Sequence, residues 1–311
     1  MNDENISKDE MGVSIGVPLY NAEKFIHKKL DSLLSQTYRN FELIISDNRS
    51  TDSTSKICEE YAKKDTRIIY FKQEKNIGAW NNFNFVLKKA KNKFFLWSAA
   101  DDVILPEFIE ENIEILKSNK EISCSVSKMV LFGESTSELE INTDDSKIDK
   151  RKKEFVKKFG HMNTYPASGK YEERIKKYIK NMRHNQIIYG VFRTDQIKKS
   201  FVKDAILGQD ACTIFNILKF GELFVIDKVL MQVYDGGVSR SGMIGLTKNL
   251  EYNLFKTLFP MYPFTKWCLR NLGYLICIKN LDFFFKMNLL AESSLIIDIA
   301  RKIKILLKND R

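Results

Sequence analysis

Residues 13–54 read VSIGVPLYNAEKFIHKKLDSLLSQTYRNFELIISDNRSTDST, and their pattern decides the fold. Val13–Leu19 is a short apolar run rich in β-formers, and the polar pair Tyr20-Asn21 ends it. From Ala22 to Gln36 the apolar residues Phe25, Ile26, Leu30, Leu33 and Leu34 recur at helical spacing, which predicts a helix with one buried face. Phe41–Ser46 is a second apolar run. It leads into Asp47-Asn48-Arg49-Ser50-Thr51-Asp52, a polar turn able to cap a helix over Ser53–Lys63.

The alternation continues outward from this stretch. Arg67–Phe71 reads as a third strand, Asn76–Lys89 as a loop and helix, and Phe94–Ser98 as a fourth strand stopping at Asp101-Asp102. Leu105–Ser118 reads as a helix with Pro106 near its start. Such β-α alternation predicts an α/β fold with a mostly parallel sheet flanked by helices. Parallel sheets receive ligands beyond the carboxyl ends of their strands, where Tyr20, Asn21, Asp47, Asp101 and Asp102 all fall.

Ile122–Leu131 is expected as a fifth strand, followed from Gly133 to Gly169 by a surface excursion with an acidic and then a basic stretch. Tyr171–Met182 reads as helix, Ile187–Arg193 as β, Gln209–Phe220 as helix, and Phe224–Val233 as one or two strands. The domain reading is a catalytic domain over 1–240 and a basic, amphipathic helical tail over 241–311.

The chain has 311 residues and a net charge of +10. From Arg240 to Arg311 there are 12 Lys/Arg against 5 Asp/Glu, so the tail holds +7 of the excess. Interleaved with aromatic and aliphatic stripes, this charge suits an anionic membrane surface, or faces that pack on the rest of the protein. No apolar run is long enough to span a bilayer, and Met1–Glu10 has no apolar core of a secretory signal. The expected location is cytoplasmic, peripheral on the inner face of the cell membrane. Five scattered cysteines without CxxC spacing and three histidines (His27, His161, His184) without ligand spacing predict neither a zinc site nor a redox motif. No Gly-rich dinucleotide fingerprint follows the first strand and no P-loop occurs, which counts against nicotinamide-dependent oxidoreductases and P-loop NTPases. The neutral-to-acidic cleft residues do not suit nucleic acid.

Chemistry concentrates in carboxylates. Asp101-Asp102 at a strand end suits a hard divalent cation that keeps positions open for phosphate oxygens, or a capping role at the following helix. Asp47 can accept a hydrogen bond from a base N–H or merely shape its turn. Asp210 can act as general base or cap its helix.

Residues 13–54 resemble the opening of a family-2 glycosyltransferase with the GT-A fold: a strand ending Pro-x-Tyr-Asn, a helix ending Gln-Thr-Tyr, and a strand running into Asp-Asn-x-Ser-Thr-Asp. NIGAWNNFNFVLKKA (76–90) resembles the family's Asn-x-Gly loop and helix, and FFLWSAADDVILPEFIE (94–110) its metal-binding strand end. The resemblance is specific over about residues 11 to 120 and weaker through IYGVFR and GQD to about Gly237. It implies single-displacement transfer, with inversion, from a nucleotide-sugar such as a UDP-sugar to a hydroxyl of a glycan or lipid-linked acceptor. It also implies a divalent cation, Mn2+ or Mg2+. Pro18, Tyr20, Asn21, Asn76, Gly78 and Asn84 would line the nucleotide-sugar pocket and Asp47 would bind the base. Asp101 would bind the metal and the donor, with Asp102 the acid beside it, and Asp210 would be the catalytic base. Ala99 stands where most members carry the first Asp of Asp-x-Asp-Asp, and Gln209 where Glu usually precedes the base. Ala99 keeps open a non-catalytic GT-A-like sugar-nucleotide binder. A nucleotidyltransferase is the further alternative, although VPLYNAEKF lacks its Gly-rich basic loop.

Overall fold

The computed structural model describes residues 11–132, 161–162, 164–182, 186–234 and 242–309. Met1–Glu10, His184, Gly237 and most of the expected surface excursion lie outside them. Among the described residues, nine strands form one sheet: β1 (Val13–Leu19), β2 (Phe41–Asp47), β3 (Ile68–Lys72), β4 (Phe94–Trp97), β5 (Val103–Ile104), β6 (Ile122–Phe132), β7 (His161–Met162), β8 (Val191–Arg193) and β9 (Glu222–Tyr234). The order is β3-β2-β1-β4-β8-β6-β9-β5, with β7 beside β6. β1, β2, β3, β4, β6 and β9 run one way and β5, β7 and β8 the other, so the sheet is mostly parallel as expected.

The first-half helices are α1 (Ile26–Leu34), α2 (Thr54–Lys64), α3 (Ala79–Lys89) and α4 (Phe108–Ser118). Those of the second half are α5 (Tyr171–Asn181), α6 (Thr194–Ser200) and α7 (Gln209–Phe220). The central strands are apolar on both faces and fully buried: Val13, Ile15, Val17, Leu43, Ile45, Phe95 and Trp97 have no exposed surface. This is what a sheet covered by helices on both sides requires. Trp97 Nε1 donates to the Phe83 carbonyl (3.0 Å), and Trp80 stacks on Phe201 at 4.5 Å while its Nε1 donates to the Val202 carbonyl (2.6 Å). These contacts fix α3 against the second half of the chain.

Three expectations are corrected. α4 begins at Phe108 rather than Leu105, because Leu105 serves the sheet: its N–H donates to the Leu230 carbonyl (2.9 Å) and its carbonyl accepts from Gln36 Nε2 (2.7 Å). Residues 187–193 are only partly β. Gln186–Tyr189 forms a 3₁₀ turn, and only Val191–Arg193 pairs, antiparallel, with β4 and β6. The expected excursion returns to the sheet by residue 161, where β7 pairs with β6, and Ala167 then bridges Leu223.

The tail comprises α8 (Gly242–Asn249), α9 (Leu254–Leu258), α10 (Tyr262–Asn271), α11 (Tyr274–Lys279) and α12 (Leu281–Asn309). One face of it packs inward through Phe264, Cys268, Phe283, Phe284 and Leu295. The other leaves Leu254, Tyr274, Leu275, Phe285 and Ile296 exposed. Among the described residues no helix is long and apolar enough to cross a membrane.

Candidate active site

The loops after β1 and β2 are stitched together at the carboxyl edge of the sheet. Asn21 N–H donates to Ser50 Oγ (2.9 Å), Thr51 N–H donates to Asn21 Oδ1 (2.8 Å), and Ala22 N–H donates to Thr54 Oγ1 (2.8 Å). Asn21 and Arg49 both have left-handed backbone, at φ 50° and 65°. A non-glycine residue holds this conformation only where its surroundings fix it. Pro18 is half-buried beneath this seam, while Tyr20 and Asn21 are exposed at its rim.

Asp47 lies fully buried at the end of β2. Its carboxylate accepts from Ser50 N–H (2.9 Å), from the Ser55 hydroxyl and from Tyr70 OH (3.2 Å). The residue thus holds the turn that begins α2. Next to it, Asn48 Nδ2 donates to Asn76 Oδ1 (2.9 Å), which also accepts from Gly78 N–H (2.9 Å), and Asn48 Oδ1 accepts from Ile77 N–H (2.8 Å). Gly78 enters α3 at φ 81° with open space where a Cβ would sit. Asn82, not singled out by sequence, is the buried clamp of this wall. It donates to the Ser46 carbonyl (2.9 Å) and accepts from Ser46 Oγ (2.6 Å). Asn84 lies half-buried two residues further along α3.

Asp101 and Asp102 leave β4 and enter β5, which pairs antiparallel with β9 through Val103↔Gln232 and Ile104↔Met231. They therefore do not cap a helix. Asp102 is 3% exposed and its Oδ1 accepts from Tyr234 N–H (2.9 Å). Burial pushes its carboxyl up to about 6, against the nearby charge of Lys29, and Asp101 adds to the rise. Burial also raises Asp101 above the usual carboxylate range. Lys29, on the buried face of α1, donates from Nζ to Ser98 Oγ (2.6 Å), and burial lowers its ammonium to about 8 despite Asp102 and Asp101.

Buried Asp102, half-buried Asp101 and the ammonium of Lys29 leave one more carboxylate than cation at this turn. A hard cation relieves that excess. Among the described residues no group of three or more His, Cys, Asp and Glu could hold a metal. The chemistry of the pair, two carboxylates, fits the oxygen preference of a hard divalent ion.

Asp210 lies in the first turn of α7, half-buried, after Gly208 at φ 82°. A Cβ on Gly208 would lie 3.0 Å from the Phe264 ring, and Leu207 N–H donates to Tyr252 OH (2.7 Å), so the tail braces this turn. Tyr189, in the 3₁₀ turn, ties the two halves electrostatically. Burial raises its phenol, and the charges of Asp102, Asp101 and Asp210 all add to the effect. Sequence reasoning missed Asn48, Asn82, Lys29 and Tyr189. Only Lys29 left a plain signal, a charge three residues from Ile26 and four from Leu33 inside an apolar stripe.

The strand order, with polar loops and an acid pair gathered at one carboxyl edge, defines an α/β protein of the GT-A kind. The sequence model described as Glycosyl transferase family 2 matches residues 14–171, and the chain belongs to that family. An uncharacterised glycosyltransferase of Methanocaldococcus jannaschii is 30% identical over 162 residues, 51% of this chain and 55% of that protein. The glycosyltransferase GlyA of Streptococcus pneumoniae is 35% identical over 98 residues, 32% of this chain and 14% of that protein. The chain thus spans about half of the first relative and a small part of the second. Among solved structures, S. aureus TarS 1–349 in complex with UDP matches with a TM-score of 0.55 at 18% identity, over 91% of each chain. The mannosyltransferase PcManGT from Pyrobaculum calidifontis, in complex with GDP-Man and Mn2+, matches with a TM-score of 0.55 at 13% identity, over 94% of this chain and 75% of that one. At these identities the likeness is one of fold.

Proposed function

We propose that this chain is an inverting glycosyltransferase that moves a sugar from a nucleotide-sugar, of the UDP class, to a hydroxyl of a glycan or lipid-linked acceptor. The observation that supports the reading is the Asp101-Asp102 turn at the carboxyl edge of the sheet, where Asp102 Oδ1 accepts from Tyr234 N–H (2.9 Å), in a chain of this family. The stitched loops of Pro18, Tyr20, Asn21, Asp47, Asn76 and Gly78, with Asn84 behind them, form the donor side. Asp47 acts there by holding its turn, and it reaches the base by exchanging one of its internal hydrogen bonds.

Asp210 takes the proton of the acceptor hydroxyl. The acceptor oxygen forms its bond to the anomeric carbon as the bond from that carbon to the diphosphate oxygen breaks on the opposite face. The bond's electron pair leaves with the nucleotide diphosphate. Asp101 and Asp102 would hold a divalent cation, Mn2+ or Mg2+, which supplies charge stabilisation for the departing diphosphate. Fixed orientation of donor and acceptor supplies much of the rest. The neighbours TarS and PcManGT, in complex with UDP and with GDP-Man plus Mn2+, support the donor class and the ion.

The exposed apolar face of the tail, flanked by Lys286, Arg301, Lys302 and Lys304, suits an anionic membrane surface carrying a lipid-linked acceptor.

The test is a panel of nucleotide-sugars in thermal shift, with Mn2+ or with chelator, followed by transfer assays on the donor that stabilises the fold. Stabilisation by one donor class, enhanced by the ion, is the expected result. A chain that no nucleotide-sugar stabilises, with or without the ion, refutes the reading.

A further inference from the structure

We infer that Lys29 is a built-in counter-cation of the Asp101–Asp102 turn, one that weakens the pair's hold on a divalent ion; the inference rests on the metal reading above. Lys29 occupies a position that the helix pattern reserves for an apolar residue. Its neighbours on that face, Ile26, Leu30 and Leu33, are fully buried, and Lys29 itself is 1% exposed. Burying an ammonium is costly unless it is paired, so the residue at this site calls for a partner. The ammonium has three N–H donors, and the acceptor the structure provides is Ser98 Oγ at 2.6 Å. Ser98 is the first residue past β4, three positions before Asp101, so the bond anchors the charge beneath the acid turn. Among the described residues the ion pairs do not include Lys29, and both carboxylates act on it through space.

The arrangement has a consequence for the ion. With two carboxylates and one ammonium, the turn carries a single excess negative charge rather than two. A divalent ion docking on Asp101 and Asp102 meets the repulsion of a fixed positive charge that cannot move away, because its side chain is enclosed by the core. Ala99 adds no carboxylate to restore the balance. A purely structural lysine would fill space and satisfy Ser98, with no effect on ion affinity.

The test measures Mn2+ binding without turnover, by electron paramagnetic resonance of free Mn2+ against the full chain, alone and with UDP. Lys29→Met fills the same space without charge. Lys29→Gln also removes the charge and keeps a donor for Ser98, and it carries the test if the Met variant fails to fold. Both neutral variants are expected to bind Mn2+ at least about tenfold more tightly than the wild-type chain, the scale of removing one nearby like charge at an intermediate dielectric. Equal affinity in the wild-type chain and the neutral variants overturns the role of Lys29 and leaves the metal reading standing. Weaker binding in the variants also overturns it. Absence of Mn2+ binding in every form, with and without UDP, overturns the metal reading and the role of Lys29 together.

Discussion

Replacing Asp102 by Asn should make the ion-free protein more stable at neutral pH. Asp102 has its carboxyl raised from 3.8 to about 6, with burial as the leading cause. A carboxyl with a raised folded pKa binds its proton more tightly in the folded chain than in the unfolded one. Its stabilising contribution is therefore full below the unfolded value of 3.8 and is lost as pH rises through about 6. Above that point the folded chain bears the cost of an ionised, buried carboxylate, roughly 3 kcal/mol from the size of the shift. Asn removes the charge and keeps an oxygen to accept from Tyr234 N–H. It also deprives Lys29 of one counter-charge, which offsets part of the gain. The expected net stabilisation is about 1–2 kcal/mol at neutral pH.

The assay is urea denaturation of both chains in chelator, at pH values from about 4 to 8. The difference between the chains matters more than either profile, because Asp65, held below the usual range by hydrogen bonds from Arg67, works in the opposite sense in both. The advantage of the variant should be greatest at neutral pH and should shrink as pH falls through 6, since the carboxyl is then neutral in the wild-type chain too. A variant less stable than wild type at neutral pH, or an advantage that does not change with pH, would refute the reasoning.

Four further outcomes are expected. Asp210→Asn should keep its fold and donor binding and lose about 10²–10⁴-fold in turnover at saturating donor, whereas a helix-capping role predicts near-normal rates. Asp47→Ala strands three donors, Ser50 N–H, Ser55 and Tyr70, and should cost about 2–4 kcal/mol in urea unfolding. It should also weaken nucleotide binding by about 1–3 kcal/mol in calorimetry; unchanged affinity would confine Asp47 to shaping its loop. Asn82→Ala breaks the bonds to Ser46 and should destabilise by about 1–3 kcal/mol, read by the same unfolding curve. Reversing Arg301, Lys302 and Lys304 to Glu should release the full chain from anionic liposomes at moderate salt; retained co-sedimentation would count against the membrane face.

The first four strands were legible because each is a short apolar run closed by polar turn residues, and the loops after them carry side chains that bond to each other. Asn21, Asn48 and Asn76 appear in the sequence as turn formers, and in the structure they are the stitches of the seam. β5 was not legible. Two residues carry no periodicity, and Val103–Ile104 becomes a strand only because β9, more than a hundred residues away, pairs with it. The 3₁₀ turn at Gln186–Tyr189 was hidden for the opposite reason. Ile187 and Ile188 favour strand locally, but the turn takes both into the core, while the adjacent Val191–Arg193 alone reaches the sheet. Asp47, Asp101 and Asp102 stood out in the sequence by type and position, and the structure places Asp47 at the end of β2 and the pair between β4 and β5. The burial of Asp102, and with it the raised carboxyl, depends on β9, which the second half of the chain places beside it.

The loop seam, the acid pair and Asp210 are therefore held by different parts of the molecule. The donor-side seam is closed within the first half, by bonds among the loops after β1, β2 and β3. The acid pair hangs from β5, and through it from β9 and the Tyr234 amide. Asp210 depends on a still later element, because Tyr252 and Phe264 of the tail brace the turn at Leu207 and Gly208. Changes in the second half can then reshape the turn at Asp210 while leaving the seam intact. The same division explains why the motifs of residues 13–110 are dense and specific while Gln209-Asp210 is sparse. The seam is built from many short local bonds, each of which leaves a residue type in the sequence. The turn before Asp210 carries one carboxylate, and the packing that sets it comes from Tyr252 and Phe264, more than forty residues later. The tail is thus part of the scaffold of the second half: Tyr252 and Phe264 set the turn before Asp210, while Leu254, Tyr274, Leu275, Phe285 and Ile296 on its other face are exposed.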